Sequence, residues 1–113
     1  MGKYINRYQE KISSFQEKFG KGHYRLACLA SVPLVFDARL LYQLRMNFNS
    51  IYKEQKAQKL LIDNIAVSDL LLSPLCDLVG YQTYKLESGV RNILLGELSQ
   101  SEKQDIAHFL EQY

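Results

Sequence analysis

Residues 75–86 read LCDLVGYQTYKL, and this stretch decides the fold. In its second half two apolar residues, Tyr84 and Leu86, are separated by Lys85, and Gly80 lies between the two halves. Alternation with a period of two is typical of a strand with one buried face, and glycine favours a turn. The stretch therefore predicts two short strands around a turn.

Helices are predicted before this hairpin. The first has an apolar stripe within an arc of about 100° and ends at residues 20–22. A compact buried helix is predicted over residues 24–31, before Pro33. Asp37 is expected to cap a third helix that runs to about Phe48, because an Asp side chain accepts hydrogen bonds from the free amides of the first turn. The stripe of the first helix consists of Tyr4, Ile5, Tyr8, Ile12, Phe15 and Phe19.

Two segments lie between the third helix and the hairpin. The lysine-rich residues 49–59 fit either a solvated loop or an extension of the third helix. Residues 60–73 predict a further helix that turns Ile65, Leu70 and Leu72 toward the core and ends at Pro74. The hairpin is expected to pack on this helix through Tyr81, Tyr84 and Leu86.

Two helices are predicted after the hairpin. Ser88 is expected to cap the first, whose apolar face is formed by Val90, Ile93, Leu94 and Leu98. Ser101 and Gln104 have the spacing of a capping box at the start of the second. The apolar stripe of that last helix consists of Ile106, Phe109, Leu110 and Tyr113.

These elements predict a single, mostly α domain with a small β-hairpin. Three helices followed by a hairpin form the outline of a winged helix, so the core is expected to be winged-helix-like over residues 24–98. Amphipathic helices flank it at residues 1–20 and 101–113. A chain of 113 residues has room for one such domain.

Catalytic chemistry is not indicated by the sequence. Cys28 lies in an apolar helix, where burial makes a thiol inert, and His23 has no neighbouring nucleophile or metal-ligand spacing. The carboxylates are spread along the chain, so neither a metal site nor a cofactor site is expected. We expect a protein that is not an enzyme; a small hydrolase using Cys28 or His23 is the remote alternative.

The cysteine usage and the net charge indicate the cellular compartment and bear on nucleic-acid binding. Two isolated cysteines favour a reduced, cytoplasmic protein, and no apolar run approaches the roughly 20 residues that span a membrane.

The formal charge is +2, too small to imply a nucleic-acid partner by itself. In a winged helix residues 64–73 would enter the DNA groove, yet they contain Asp69 and no Lys or Arg. Nucleic-acid binding is therefore the alternative function, not the expected one.

Four blocks follow one another in the chain: AVSDLLLSPLC (66–76), VGY (79–81), YKLE (84–87) and VRNILL (90–95). Together they resemble a small domain that recurs in bacteria, chiefly cyanobacteria. In that family the domain accompanies caspase-like, TIR, formylglycine-generating-enzyme-like or NTPase modules and is regarded as an adaptor. The resemblance covers about residues 24–98, and the chain departs from it at residues 52–64, which replace a shorter turn. It implies a non-catalytic protein-interaction module of a bacterial signalling or conflict system.

The terminal helices carry the candidate partner surface. Their apolar stripes lie outside the family-like segment, and each must bury its face against something. They either pack on each other and the core, or contact a second copy of the chain, or contact another protein. Packing on each other and the core is the first of these alternatives, and the tyrosines, which are enriched at interfaces, are the argument for a partner. The residues predicted to bind it are Tyr4, Tyr8, Ile12, Phe15, Phe109 and Tyr113.

Overall fold

A computed structural model describes the backbone of residues 2–113 and the side chains from residue 7 onward. Within this range it contains six α-helices, a short 3-10 turn at Gln58–Leu60 and one antiparallel hairpin. The helices are α1 (Gly2–Phe19), α2 (Lys21–Ala30), α3 (Ala38–Glu54), α4 (Ala66–Leu71), α5 (Ser88–Gly96) and α6 (Gln100–Gln112). The strands are β1 (Cys76–Gly80) and β2 (Thr83–Leu86). The prediction of a mostly α fold with a small hairpin is confirmed.

Helix α2 lies at the centre of the molecule. Gly20 separates it from α1 with a φ of 91°, a left-handed conformation that favours glycine. Gly22 lets the helix approach the segment before α4, because a Cβ there would overlap the backbone carbonyl oxygen of Leu61. Helices α1, α3, α4 and α5 all pack on α2. Its buried residues are His23, Leu26, Ala27, Cys28, Leu29 and Ala30.

Helix α3 begins as predicted and ends later. The Asp37 side chain accepts a 2.8 Å hydrogen bond from the Leu40 amide, which confirms the cap. The helix continues to Glu54, so the extension is the correct alternative for the first part of residues 49–59. Tyr52 is buried there, and the Asn49 side chain exchanges two hydrogen bonds with the backbone of Ile62. The added turns are therefore held by tertiary contacts.

Helix α4 is shorter than predicted. It covers six residues instead of the whole of residues 60–73. Leu70 is fully buried, but Ile65 and Leu72 are exposed, so their assignment to the core was wrong. Two residues along a helix correspond to about 200° of rotation, which places Leu72 opposite the buried face of Leu70.

The hairpin pairs Cys76 with Leu86 and Leu78 with Tyr84, and a bulge lies between Leu78 and Gly80. An isolated bridge joins Phe36 to Tyr84 on the other side of β2, so β1 is an outer strand of this small sheet. Leu86 is buried and Tyr84 is half-buried, which confirms that both face the core. Tyr81, expected in the core, lies in the turn between the strands and is exposed.

The last helix starts two residues earlier than its predicted capping box. Ser99 and Glu102 form the box: the Ser99 hydroxyl accepts from the Glu102 amide at 3.1 Å, and the Glu102 carboxylate accepts from the Ser99 amide at 2.8 Å. In α5, Ser88 is the first helical residue and Glu87 occupies the cap position without a side-chain hydrogen bond. Buried residues of both terminal helices belong to the same core as α2, and the described chain forms one globule. Its winged-helix likeness stays a prediction.

Candidate interaction surface

The predicted partner residues of α1 are largely covered by the chain itself. Ile12 and Phe15 are buried in the core, where Phe15 lies beside Phe19 and His23. A partner could reach these two side chains only by opening the fold, which corrects their assignment to a docking surface. The side chain of Tyr4 lies outside the described residues.

The remaining predicted partner residues differ in exposure. Tyr8 is half-buried, and its ring lies against Gly89, where an added Cβ would overlap it. Phe109 is also half-buried, edge-on to Phe48 with the ring centroids 6.4 Å apart. Tyr113 is exposed at the end of the described chain. Of these three, Tyr113 presents its ring most openly to a partner.

A polar cluster ties α6 to α2 and α3. Arg25 donates a 2.8 Å hydrogen bond to the Tyr52 hydroxyl and forms an ion pair with Glu102. Partial burial raises the pKa of Glu102, but hydrogen bonds from Ser99 and Arg25 and the guanidinium charge outweigh it, so the pKa lies below its ordinary value. Burial raises the pKa of the nearby Cys28 thiol to about 11. Both pKa shifts arise where the helices pack together, and the raised pKa of Cys28 lowers the reactivity of its thiol.

His23, which is buried, and Asp69, which is partly exposed, form a second pair between helices. The imidazole Nε2 lies 2.9 Å from the Asp69 carboxylate, and the ring stacks on Phe19 with the centroids 4.9 Å apart. Asp69 is the carboxylate noted on the helix that would enter DNA, and here it joins α4 to α2. Among the described residues, neither side chain hydrogen-bonds to a hydroxyl or a thiol. The pair therefore connects α2 and α4.

Several exposed apolar side chains lie in and beside the hairpin. Leu72 is 83% exposed, Leu78 66% and Tyr81 89%, with Val79 about half exposed between them. They are contributed by the end of α4, by β1 and by the turn, all within ten residues of chain. On the solvent face of the sheet, Asp77 lies opposite Lys85, a residue of the opposite charge. This set, Leu72, Leu78, Val79 and Tyr81, is called the hairpin surface below.

The hairpin surface was missed by sequence reasoning, which placed Leu72 and Tyr81 in the core. Two signals in the sequence could have found it. Leu72 is off the helical face of Leu70, and Tyr81 follows Gly80 at the centre of the predicted turn.

Comparison of the chain with protein-family models, curated proteins and solved structures finds no match. Among the described residues, no helix has the length and apolar character needed to cross a membrane. No cluster of three or more metal-ligating side chains is found in that same part of the chain.

Proposed function

We propose that this protein is a non-catalytic protein-interaction module, an adaptor of a bacterial signalling or conflict system that binds its partner through the hairpin surface. The observation that carries the proposal is the exposure of Leu72, Leu78 and Tyr81 within ten residues of chain. Large apolar side chains that remain exposed and grouped in one segment of a folded domain favour an interaction site. The resemblance of residues 66–95 to an adaptor domain supports the same class.

The electrostatics of the hairpin favour a protein partner over nucleic acid. Phosphate backbones are bound through clusters of Lys and Arg. Helix α4 contains neither, and its Asp69 is engaged by His23. Lys85 of the hairpin lies opposite Asp77, which offsets its charge. Apolar and aromatic contact is the chemistry that this surface offers, and Tyr81 is of the residue type enriched at the centres of protein interfaces.

The polar groups of the core support a role without catalysis. The pKa of Cys28 is raised, so little thiolate is present at neutral pH. The ion pair of Arg25 and Glu102 and the pair of His23 and Asp69 each join two helices. We assign these groups to the stability of the scaffold that presents the hairpin.

The proposal is tested by site-specific photo-crosslinking from position 81, followed by measurement of binary affinity with each captured protein. Leu72→Lys and Tyr81→Lys are expected to weaken binding at least about tenfold, since each removes an apolar contact. Met46→Lys is the matched control, because Met46 is also apolar and exposed but lies on α3. Equal binding by all three variants, or nanomolar binding of duplex DNA in place of protein, would contradict the proposal.

A further inference from the structure

The backbone of Leu78 faces the open edge of β1. Tyr84 exchanges both of its backbone hydrogen bonds with Phe36, at 2.8 and 2.9 Å. In an antiparallel pair, residues directly opposite each other either exchange both bonds or both point away. Tyr84 points toward Phe36, so Leu78, its partner in β1, points its N–H and C=O away from β2.

The same alternation of hydrogen-bonded and non-bonded pairs is found at the other end of the hairpin. The Glu87 amide donates to the Leu75 carbonyl at 2.9 Å, so Leu75 and Glu87 form a hydrogen-bonded pair. Bonded and non-bonded pairs alternate along an antiparallel ladder, so the backbone N–H and C=O of Cys76, like those of Leu78, point away from β2. The Cys76 amide is already used, since it donates to the Ser73 carbonyl at 3.3 Å. Among residues 76–78, Leu78 therefore keeps a complete donor and acceptor pair at the edge, on a residue that is mostly exposed. Such a pair is complementary to an extended backbone.

We propose that this edge pairs antiparallel with β1 of a second copy, about a two-fold axis at Leu78. The inference rests on the proposed function and names the partner of the hairpin surface. The two Leu78 residues exchange both backbone bonds, and their side chains lie opposite each other.

The sequence of β1 suits pairing with itself. In this register Asp77 of one copy lies opposite Val79 of the other, so the two Asp77 carboxylates do not oppose each other. Each Asp77 also lies opposite Lys85 of its own chain, which limits repulsion between the copies. The bulge at Val79 bends β1 and keeps the pairing short. We therefore expect a weak, reversible dimer with closed two-fold symmetry.

The test follows the full chain from about 10 μM to about 1 mM, a range that covers weak association. Sedimentation measures the mass, and amide hydrogen exchange by NMR measures protection at Leu78. Protection of the Leu78 amide is expected to rise with protein concentration, together with the mass. The exchange measurement uses the unaltered protein, so it does not depend on any variant folding.

Charge variants identify the edge. Leu78→Lys places two ammonium groups opposite each other and is expected to leave a monomer, as is Leu78→Glu for two carboxylates. An equal mixture of the two variants is expected to associate again. Met46→Lys is the matched control, because it adds the same charge at an exposed position on α3, outside the hairpin surface, and should dimerise like the unaltered chain.

Two results would overturn the inference: a monomer with an unprotected Leu78 amide at every concentration, or association that persists in both Leu78 variants. If either occurs while position 81 still captures a partner whose binding Leu72→Lys weakens, the self-pairing fails and the interaction module stands. If the Leu78 mixture alone restores the dimer, the self-pairing is supported.

Discussion

Leu70 and Leu72 are two residues apart, and the structure predicts very different consequences of truncating them. Leu70, on the inner face of α4, is fully buried, whereas Leu72 is 83% exposed. Leu70→Ala removes buried methyl groups and leaves a cavity, which costs about 2 to 5 kcal/mol. For a chain of this size that free energy corresponds to a decrease in Tm of roughly 10 to 20 °C. Leu72→Ala should change the free energy of unfolding by less than about 0.5 kcal/mol.

Urea denaturation followed by circular dichroism measures this difference. The slope of the unfolding free energy against urea should be unchanged in both variants, so that the shift in midpoint reports stability alone. Equal destabilisation by the two substitutions would refute the placement of α4. It would return Leu72 to the core, where the sequence pattern had placed it, and would remove it from the hairpin surface.

The remaining predictions concern backbone space, an ion pair and a thiol. Gly22→Ala lowers the urea midpoint because its Cβ overlaps a backbone carbonyl, whereas Gly96→Ala, with nothing within 4 Å, stabilises by up to about 1 kcal/mol; equal midpoints would contradict this. The pKa of Glu102 is lower in the folded than in the unfolded chain, so its pair with Arg25 contributes stability above about pH 4.3 that is lost on acidification; Glu102→Gln should remove this part of the pH dependence of the midpoint. Cys28 should resist thiol reagents at about pH 8 until the chain unfolds; labelling of the folded chain at the rate of free cysteine would show that it is accessible.

Features set by neighbours in sequence were predicted well. The hairpin was predicted from the alternation around Tyr84 and Leu86, and the start of α3 from Asp37. Both depend on interactions that span a few residues. The capping box of α6 shows the limit of such reasoning. Residues 99–102 and residues 101–104 both have the spacing of a capping box, and the first pair forms it. Glu102, a member of the observed box, also makes the ion pair with Arg25, a contact with a distant part of the chain.

Boundaries and exposure were predicted less well. The length of α3 depends on hydrogen bonds between Asn49 and Ile62, thirteen residues apart. The stripe of α1 had to be buried, but its periodicity could not tell an intramolecular partner from a second molecule. In the structure, Ile12 and Phe15 are buried within the same chain.

The sequence by itself determined the helical class, the hairpin and the amphipathic character of both terminal helices, because periodicity and caps act within one or two turns of chain. The tertiary structure decided which apolar side chains remain at the surface and which strand edge stays open. The open edge at Leu78 follows from the bridge between Phe36 and Tyr84, a contact across 48 residues that local propensity does not encode. The candidate interaction surface is therefore a product of long-range packing.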